Sequence, residues 1–259
     1  MEDFRAWIVP RFLATMTPHD QRGPVMTHPE APITAPAADG ALPAAVPVTV
    51  AVVGASGRVG QRVSQRLREA GHRVVPVSRT PDPGAPPPHR PVDALDPEAV
   101  RAALEGVDAV VVALGISENP LRVRLRGSRG TADDVRSRGT RHVIEAMRAT
   151  GARRLVVLSS TGVGDSAGVL TPGMRLVIAG LLHPQFADHA RQEELVRSSC
   201  LDWTIARPVN LRPAASAPVV ADPHGRVVSM DVGIDQVADC LARWATSSEH
   251  LGATVALSS

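Results

Sequence analysis

Lysine and tyrosine are both missing from this chain of 259 residues. Lys and Arg together number 28, so every one of these basic residues is an arginine. The absence of lysine excludes Schiff-base and pyridoxal-phosphate chemistry, and it also excludes the phosphate-binding lysines of P-loop nucleotidases and protein kinases. A proton relay built from a tyrosine and a lysine is excluded as well.

Cysteines and long apolar runs are also scarce. Cys200 and Cys240 support neither a disulfide framework nor a thiolate metal centre, and we expect both to be buried free thiols. His189 and Glu193 lie four residues apart without a third ligand, so no metal site is predicted. No run reaches the roughly 18 apolar residues of a membrane span. The net charge of +2 indicates neither nucleic-acid nor membrane binding, and we expect a cytoplasmic protein.

The composition changes after the first 46 residues. Residues 1–46 are rich in proline and alanine and lack helical or strand periodicity, which is typical of a disordered extension. Over residues 47–259, short β-branched or apolar runs alternate with amphipathic helical stretches. This alternation predicts a single α/β domain with a Rossmann-like, doubly wound parallel sheet. Short strands are expected near 92–95 and over 225–230, and a helix near 187–198.

A glycine-rich turn, GASGRVG over residues 54–60, follows the first strand and opens a helix. Glycines in this context permit a tight turn and a close approach to a pyrophosphate, whose charge the helix N-terminus favours. Strand, spacing and helix all agree, so nucleotide binding is preferred over a purely structural turn. The predicted cofactor-binding residues of this turn are Gly54, Ser56, Gly57, Arg58 and Val59.

The second strand ends in Ser78, Arg79 and Thr80, where an NAD-preferring domain would place an acidic residue. An arginine pairs with a 2′-phosphate that a carboxylate would repel. Ser78 and Arg79 are therefore predicted to favour NADP(H), with Arg58 as a second positive group. An arginine that merely ends a strand is the structural alternative.

Other segments carry a family resemblance: VDALD, GVDAVVVALG, RLVVLSS and SSCLDWTIARP. Together with the glycine turn, they resemble the atypical short-chain dehydrogenase/reductases, an NAD(P)H-binding group that includes NmrA-like redox sensors and biliverdin-IXβ/flavin reductases. The resemblance covers residues 48 to about 245. It implies that the adenine is flanked by Asp93 and Ala94, the cofactor ribose is lined by Leu114 and Gly115, and the nicotinamide is approached by Ser159, Ser160 and Pro208.

The chain departs from this family at the catalytic positions, because the usual tyrosine and lysine fall at Gln185 and His189. His189 after Asp188 is nevertheless similar to the biliverdin-IXβ/flavin reductase subgroup, and Ser160 falls at the active-site serine of that subgroup. The resemblance thus implies Ser160 and His189 as catalytic residues, with a proton supplied by water or substrate. A capping or solvated role for His189 is the alternative.

Seven arginines lie within residues 121–141, at positions 122, 124, 126, 129, 136, 138 and 141. Such a run is usually a solvated face, but this connection borders the substrate mouth in the expected architecture, so an anionic substrate or partner is the alternative. The absence of interleaved aromatic residues argues against single-stranded nucleic acid.

These features predict an NADPH-dependent oxidoreductase that transfers hydride to a small-molecule acceptor such as a flavin, a quinone or a tetrapyrrole. The alternative is a non-catalytic NADP(H) sensor that acts through a protein partner. An open pocket beyond the nicotinamide would separate the two. An epimerase or dehydratase is disfavoured because the chain lacks the tyrosine and the lysine.

Overall fold

The computed structural model describes residues 46–80, 91–115, 133–173, 180, 182–215 and 217–259. These residues belong to one compact unit, 45–259. The extension predicted over 1–46 lies outside the described residues, except for its last residue. No helix among the described residues is long and apolar enough to cross a membrane.

The described chain forms nine strands and five α-helices, with a 3₁₀ turn over Gly164–Val169. The strands are β1 (Thr49–Val53), β2 (Arg73–Val77), β3 (Ala109–Val112), β4 (Arg154–Leu158), β5 (Asp202–Pro208), β6 (Asn210–Arg212), β7 (Val220–Asp222), β8 (Asp231–Gly233) and β9 (Ala253–Ser258). The helices are α1 (Arg58–Glu69), α2 (Pro97–Ala103), α3 (Val135–Thr150), α4 (His183–Arg197) and α5 (Ile234–Ala245).

Seven strands form the central sheet in the order β2-β1-β3-β4-β5-β9-β7. All neighbouring pairs from β2 to β9 are parallel, and only the edge strand β7 runs antiparallel to its neighbour β9. The strands β6 and β8 form a separate parallel pair. The predicted doubly wound, Rossmann-like α/β fold is confirmed.

The sheet is buried on both faces because its strands alternate between two apolar layers. Val50 and Val52 of β1 pack with α1 and α5, whereas Ala51 and Val53 pack with α2, α3 and α4. All four side chains are fully buried. The near-continuous apolar runs of the sequence follow from this arrangement, since a strand covered on both faces has no polar side.

Local signals set the helix ends. Asp96 caps α2, because its carboxylate accepts hydrogen bonds from the amides of Glu98 and Ala99, both at 3.1 Å. Pro97 occupies the first turn, where a missing N–H costs no helical hydrogen bond. Gly151 ends α3 with a φ of +86°, a left-handed conformation that suits glycine.

Three expected elements differ from the structure. Residues 92–95 are not a strand, because Asp93 turns the chain after Val92 by accepting a hydrogen bond from the amide of Leu95 at 3.0 Å. Residues 225–230 are not a strand either, since Gly225 adopts a φ of +80° and the strands β7 and β8 lie on either side. The helix α4 begins at His183, earlier than the expected start near 187.

The two cysteines occupy different environments. Cys240 is buried as expected, and burial raises the pKa of its thiol to about 11. The expectation of burial is wrong for Cys200, which is exposed. Cys200 lies between α4 and β5 with a φ of +57°, and the turn places its side chain at the surface.

Candidate cofactor and substrate cleft

One large cleft lies above the carboxyl ends of the central strands, and its volume is about 1220 Å³. The strand order reverses between β1 and β3, which is where open α/β sheets bind ligands. All the residues predicted to bind the cofactor line this cleft, and so do both predicted catalytic residues. The fold thus brings together residues that are spread over more than 150 positions, from Gly54 to Pro208.

The glycine turn has the geometry of a pyrophosphate cradle. Gly54 has a φ of +89°, and a Cβ atom there would lie 2.5 Å from the carbonyl oxygen of Ala113. A Cβ atom on Gly60 would collide with the carbonyl of Gly54, so α1 approaches the turn too closely for any side chain. No side chain caps α1 at Gly57, and its first turn carries no acidic residue. The N-terminal amides of α1 are therefore suited to a phosphate group.

The end of β2 forms the neighbouring wall of the cleft. Ser78 is buried, and its hydroxyl donates a hydrogen bond of 2.5 Å to the carbonyl of Thr80, which shapes the turn that carries Arg79. Arg79 and Asp93 are exposed and line the cleft together with Arg58. Two guanidinium groups thus border the part of the cleft next to the glycine turn.

Helix α3 contacts two segments of the cleft wall, those that carry Ala94 and Leu114. His142 Nδ1 lies 3.0 Å from the carbonyl oxygen of Ala94, within hydrogen-bonding distance. Gly139 lets the helix come close, because a Cβ atom there would lie 2.6 Å from the Leu114 side chain. Ala94, Leu114 and Gly115 line the cleft at this point.

Ser159, which follows β4, is hydrogen-bonded to a buried network of charged side chains. Its hydroxyl donates a hydrogen bond of 2.6 Å to Glu193, which also accepts from Nε and Nη2 of Arg207 at 2.9 and 2.6 Å. Glu193 and Arg207 are almost fully buried, and Asp165 pairs with Arg207 Nη1 at 2.7 Å. Burial lowers the pKa of Arg207, but the bonds to Glu193 and Asp165 raise it overall. The hydroxyl proton of Ser159 is thus directed at Glu193 and away from the cleft.

Ser160 is half-buried, and its hydroxyl donates a hydrogen bond of 3.2 Å to the carbonyl of Thr161. His189 is only 8 % exposed, and none of the described residues forms a hydrogen bond with its Nδ1 atom. Burial, reinforced by the positive charge of Arg136, lowers the pKa of His189 to about 3. His189 is therefore a neutral imidazole near pH 7, at odds with the alternative of a solvated histidine.

Asp188 links α4 to the start of α3. Its carboxylate accepts hydrogen bonds from the amides of Arg136 at 3.0 Å and Ser137 at 3.1 Å, and from the Ser137 hydroxyl at 2.5 Å. No side chain of α3 itself caps the helix, so Asp188 supplies this cap from another element. The negative charge of the carboxylate also interacts favourably with the positive N-terminal end of the helix dipole.

The arginine run is not a uniform solvated face, since Arg136 is buried and lines the cleft. Arg138 and Arg141 are exposed. The remaining four arginines, at positions 122, 124, 126 and 129, lie outside the described residues. Burial lowers the pKa of Arg136, and the nearby Asp188 partly offsets this effect.

Sequence reasoning missed the apolar end of the cleft. Leu170 and Phe186 both lie close to Gly162, where an added Cβ atom would be 2.5 Å from the leucine and 3.2 Å from the phenylalanine. The other missed lining residues include Leu182, Val209, Asn210, Leu211, Arg212 and Met230. Most come from α4 or from the segments around β6 and β8, whose short length gives little periodic signal in the sequence.

The sheet topology and the glycine turn together define a Rossmann-fold protein of the dinucleotide-binding class. The model of the NAD(P)H-binding family matches residues 54–248, and the chain belongs to this family. No curated protein sequence matches the chain.

Solved structures share this fold at low sequence identity. A short-chain dehydrogenase/reductase from Veillonella parvula in complex with NADP is 14 % identical with a TM-score of 0.64, covering 82 % of this chain and 94 % of its own. An oxidoreductase from Lactococcus lactis is 18 % identical with a TM-score of 0.63, covering 81 % and 90 %. A candidate NADH-flavin reductase from Streptococcus pneumoniae is 18 % identical with a TM-score of 0.60, covering 81 % and 98 %.

Proposed function

We propose that this protein is an NADPH-dependent reductase of a small-molecule acceptor, with a flavin, quinone or tetrapyrrole as the acceptor class. The observation that carries this proposal is the extent of the cleft. It continues past the residues expected around the cofactor to an apolar end, where Leu170 and Phe186 lie next to Gly162. Its volume of about 1220 Å³ exceeds that of a single-ligand pocket, typically about 300–1000 Å³. A second molecule can therefore lie beside the cofactor.

The proposed preference for NADPH rests on charge. Arg58 and Arg79 line the cleft beside the glycine turn, where either guanidinium group can pair with a 2′-phosphate. The carboxylate of Asp93 also lines this part, but its Oδ1 atom accepts the amide hydrogen of Leu95 within its own turn. The cradle at Gly54 and Gly60 and the uncapped start of α1 would hold the pyrophosphate.

When bound, the reduced nicotinamide supplies two electrons as a hydride, and the chain has to orient the acceptor and keep water out. His189 has a pKa of about 3, so it carries no proton to donate from an imidazolium near pH 7. Ser160 and His189 would instead orient the acceptor or the cofactor, and solvent or the acceptor itself would supply the proton. Leu170 and Phe186 provide an apolar surface for a planar ring system.

The test is an NADPH-oxidation assay with flavins, quinones and tetrapyrroles, followed by the loss of NADPH absorbance. We expect oxidation that depends on both the protein and one of these acceptors. Phe186→Ala should raise KM for the acceptor while leaving the Kd of NADPH unchanged, because the side chain lies at the apolar end of the cleft. Tight NADPH binding without acceptor-dependent oxidation would overturn the proposal in favour of a non-catalytic NADP(H) sensor with a protein partner.

A further inference from the structure

Arg136 occupies a position that is costly for a positive charge. The residue is 7 % exposed, and none of the described residues accepts a hydrogen bond from its Nε or Nη1 atom. Buried guanidinium groups normally have their N–H donors satisfied, since an unpaired buried charge is strongly destabilising. Arg136 also lies in the first turn of α3, where the helix dipole disfavours a cation.

Asp188 does not resolve this cost. Its nearest approach to the guanidinium group is 3.9 Å, from Oδ2 to Nη1, which is too long for a hydrogen bond. Both carboxylate oxygens already accept hydrogen bonds from the amides of Arg136 and Ser137 and from the Ser137 hydroxyl. Asp188 therefore serves mainly as the cap of α3 and leaves donors of the guanidinium group unsatisfied.

The side chain of Arg136 forms part of the cleft wall. Arg136 lines the cleft beside Gly115, where an added Cβ atom would lie 4.0 Å from Nη2. His189 lines the same cleft and is neutral near pH 7, so it does not compensate the positive charge. Nε and Nη1 are shielded from solvent, so an anion entering the cleft would reach the guanidinium group from the side of Nη2, the nitrogen next to Gly115.

We propose that Arg136 binds a carboxylate of the acceptor, so that the substrate of this cleft is an acidic molecule. The identification of the bound acid as the acceptor rests on the proposed reductase function, but the anion site itself does not depend on catalysis. The guanidinium group would form a charge-assisted contact with the carboxylate and fix one end of the acceptor between α3 and α4. The cofactor pyrophosphate is the other source of negative charge, and the experiment separates the two.

The experiment measures thermal stabilisation of the NADPH-loaded protein by benzoate and by benzamide, its neutral isostere. Wild type should be stabilised by benzoate and much less by benzamide. Arg136→Gln should weaken benzoate binding about tenfold or more, the loss expected for a charge-assisted hydrogen bond. Arg136→Lys should retain part of the preference, because it keeps the charge and loses the planar fork.

Arg138→Gln is the matched control. Arg138 lies on the same helix, carries the same charge, is exposed, and pairs with Asp134 at 3.7 Å. This variant should keep the wild-type preference for benzoate. Equal stabilisation of wild type by benzoate and benzamide would overturn the inference even if Arg136→Gln fails to fold. A loss of NADPH affinity in Arg136→Gln with unchanged benzoate binding would assign the residue to the cofactor and also overturn it.

The same measurements distinguish a failure of the reductase proposal from a failure of the anion site. If benzoate binding depends on Arg136 and no acceptor is reduced, the anion site stands and the reductase proposal fails. If acceptors are reduced equally well as acids and as their amides, and KM does not change in Arg136→Gln, the reductase proposal stands and the anion site fails. When both hold, Arg136→Gln raises KM for the acid about 10- to 100-fold and leaves KM for the amide unchanged.

Discussion

Replacing Glu193 with alanine removes the centre of the buried network behind the cleft. Glu193 accepts hydrogen bonds from Ser159, from Arg197 at 3.0 Å and twice from Arg207. The side chains of Glu193 and Arg207 are 1 % and 6 % exposed, so the substitution would leave a guanidinium group buried without its main partner. Breaking such a pair typically costs about 3–5 kcal/mol.

The lower part of that range applies here, because Asp165 remains bound to Arg207 at 2.7 Å. We expect Glu193→Ala to lower the free energy of unfolding by about 3 kcal/mol. For a domain of this size, this loss corresponds to a fall in Tm of about 6–12 °C. Urea unfolding followed by tryptophan fluorescence, to which the buried Trp244 contributes, measures the loss directly, provided that the slope m is unchanged.

The exposed pair between Arg153 and Asp202 provides the control. Its atoms are 3.2 Å apart, against 2.6 Å in the buried pair, and the side chains are 65 % and 46 % exposed. Arg153→Ala should therefore cost less than about 1 kcal/mol. Glu193→Gln should fall between the two, because it keeps the shape and one acceptor oxygen. A loss for Glu193→Ala no larger than that of Arg153→Ala would refute the reasoning that burial makes this network strong.

Three further predictions concern Arg79, Ser160 and His189, which line the cleft. Arg79→Ala should weaken NADPH binding by about 1.5–3 kcal/mol and barely change NADH binding; equal losses in titrations of both cofactors would contradict the assigned preference. Ser160→Ala and His189→Gln should each reduce turnover only about tenfold, whereas a loss near 10⁴-fold, about the upper end for general acid catalysis, would identify a proton donor. The pKa of His189 is about 3 in the folded protein, whereas that of an unfolded histidine is about 6.5. Between these pH values the unfolded chain therefore binds one more proton than the folded protein. The free energy of unfolding should then fall by up to about 1.4 kcal/mol per pH unit below about pH 6.5, and urea titrations should show that His189→Gln removes this slope.

The sequence identified the residues that line the cleft around the glycine turn, because local signals mark them. A pyrophosphate cradle needs glycines at fixed spacing between a strand and a helix, and GASGRVG shows this pattern directly. Ser78 and the basic residue Arg79, which directly follow β2, are recognisable from the sequence in the same way. The apolar end could not be predicted, because Leu170 and Phe186 follow no motif and come together only through folding.

The sequence by itself determined the layers of this fold and the position of the glycine turn, since both follow from hydrophobic periodicity and from the backbone freedom of glycine at Gly54. Only the tertiary structure decided which charged residues are buried. Arg136 has no distinguishing feature among the seven arginines of its segment, yet the cap that Asp188 provides places it in the cleft while Arg138, two residues later, is exposed. The physical reason is that burial and electrostatics depend on neighbours 52 positions away, which no local pattern records.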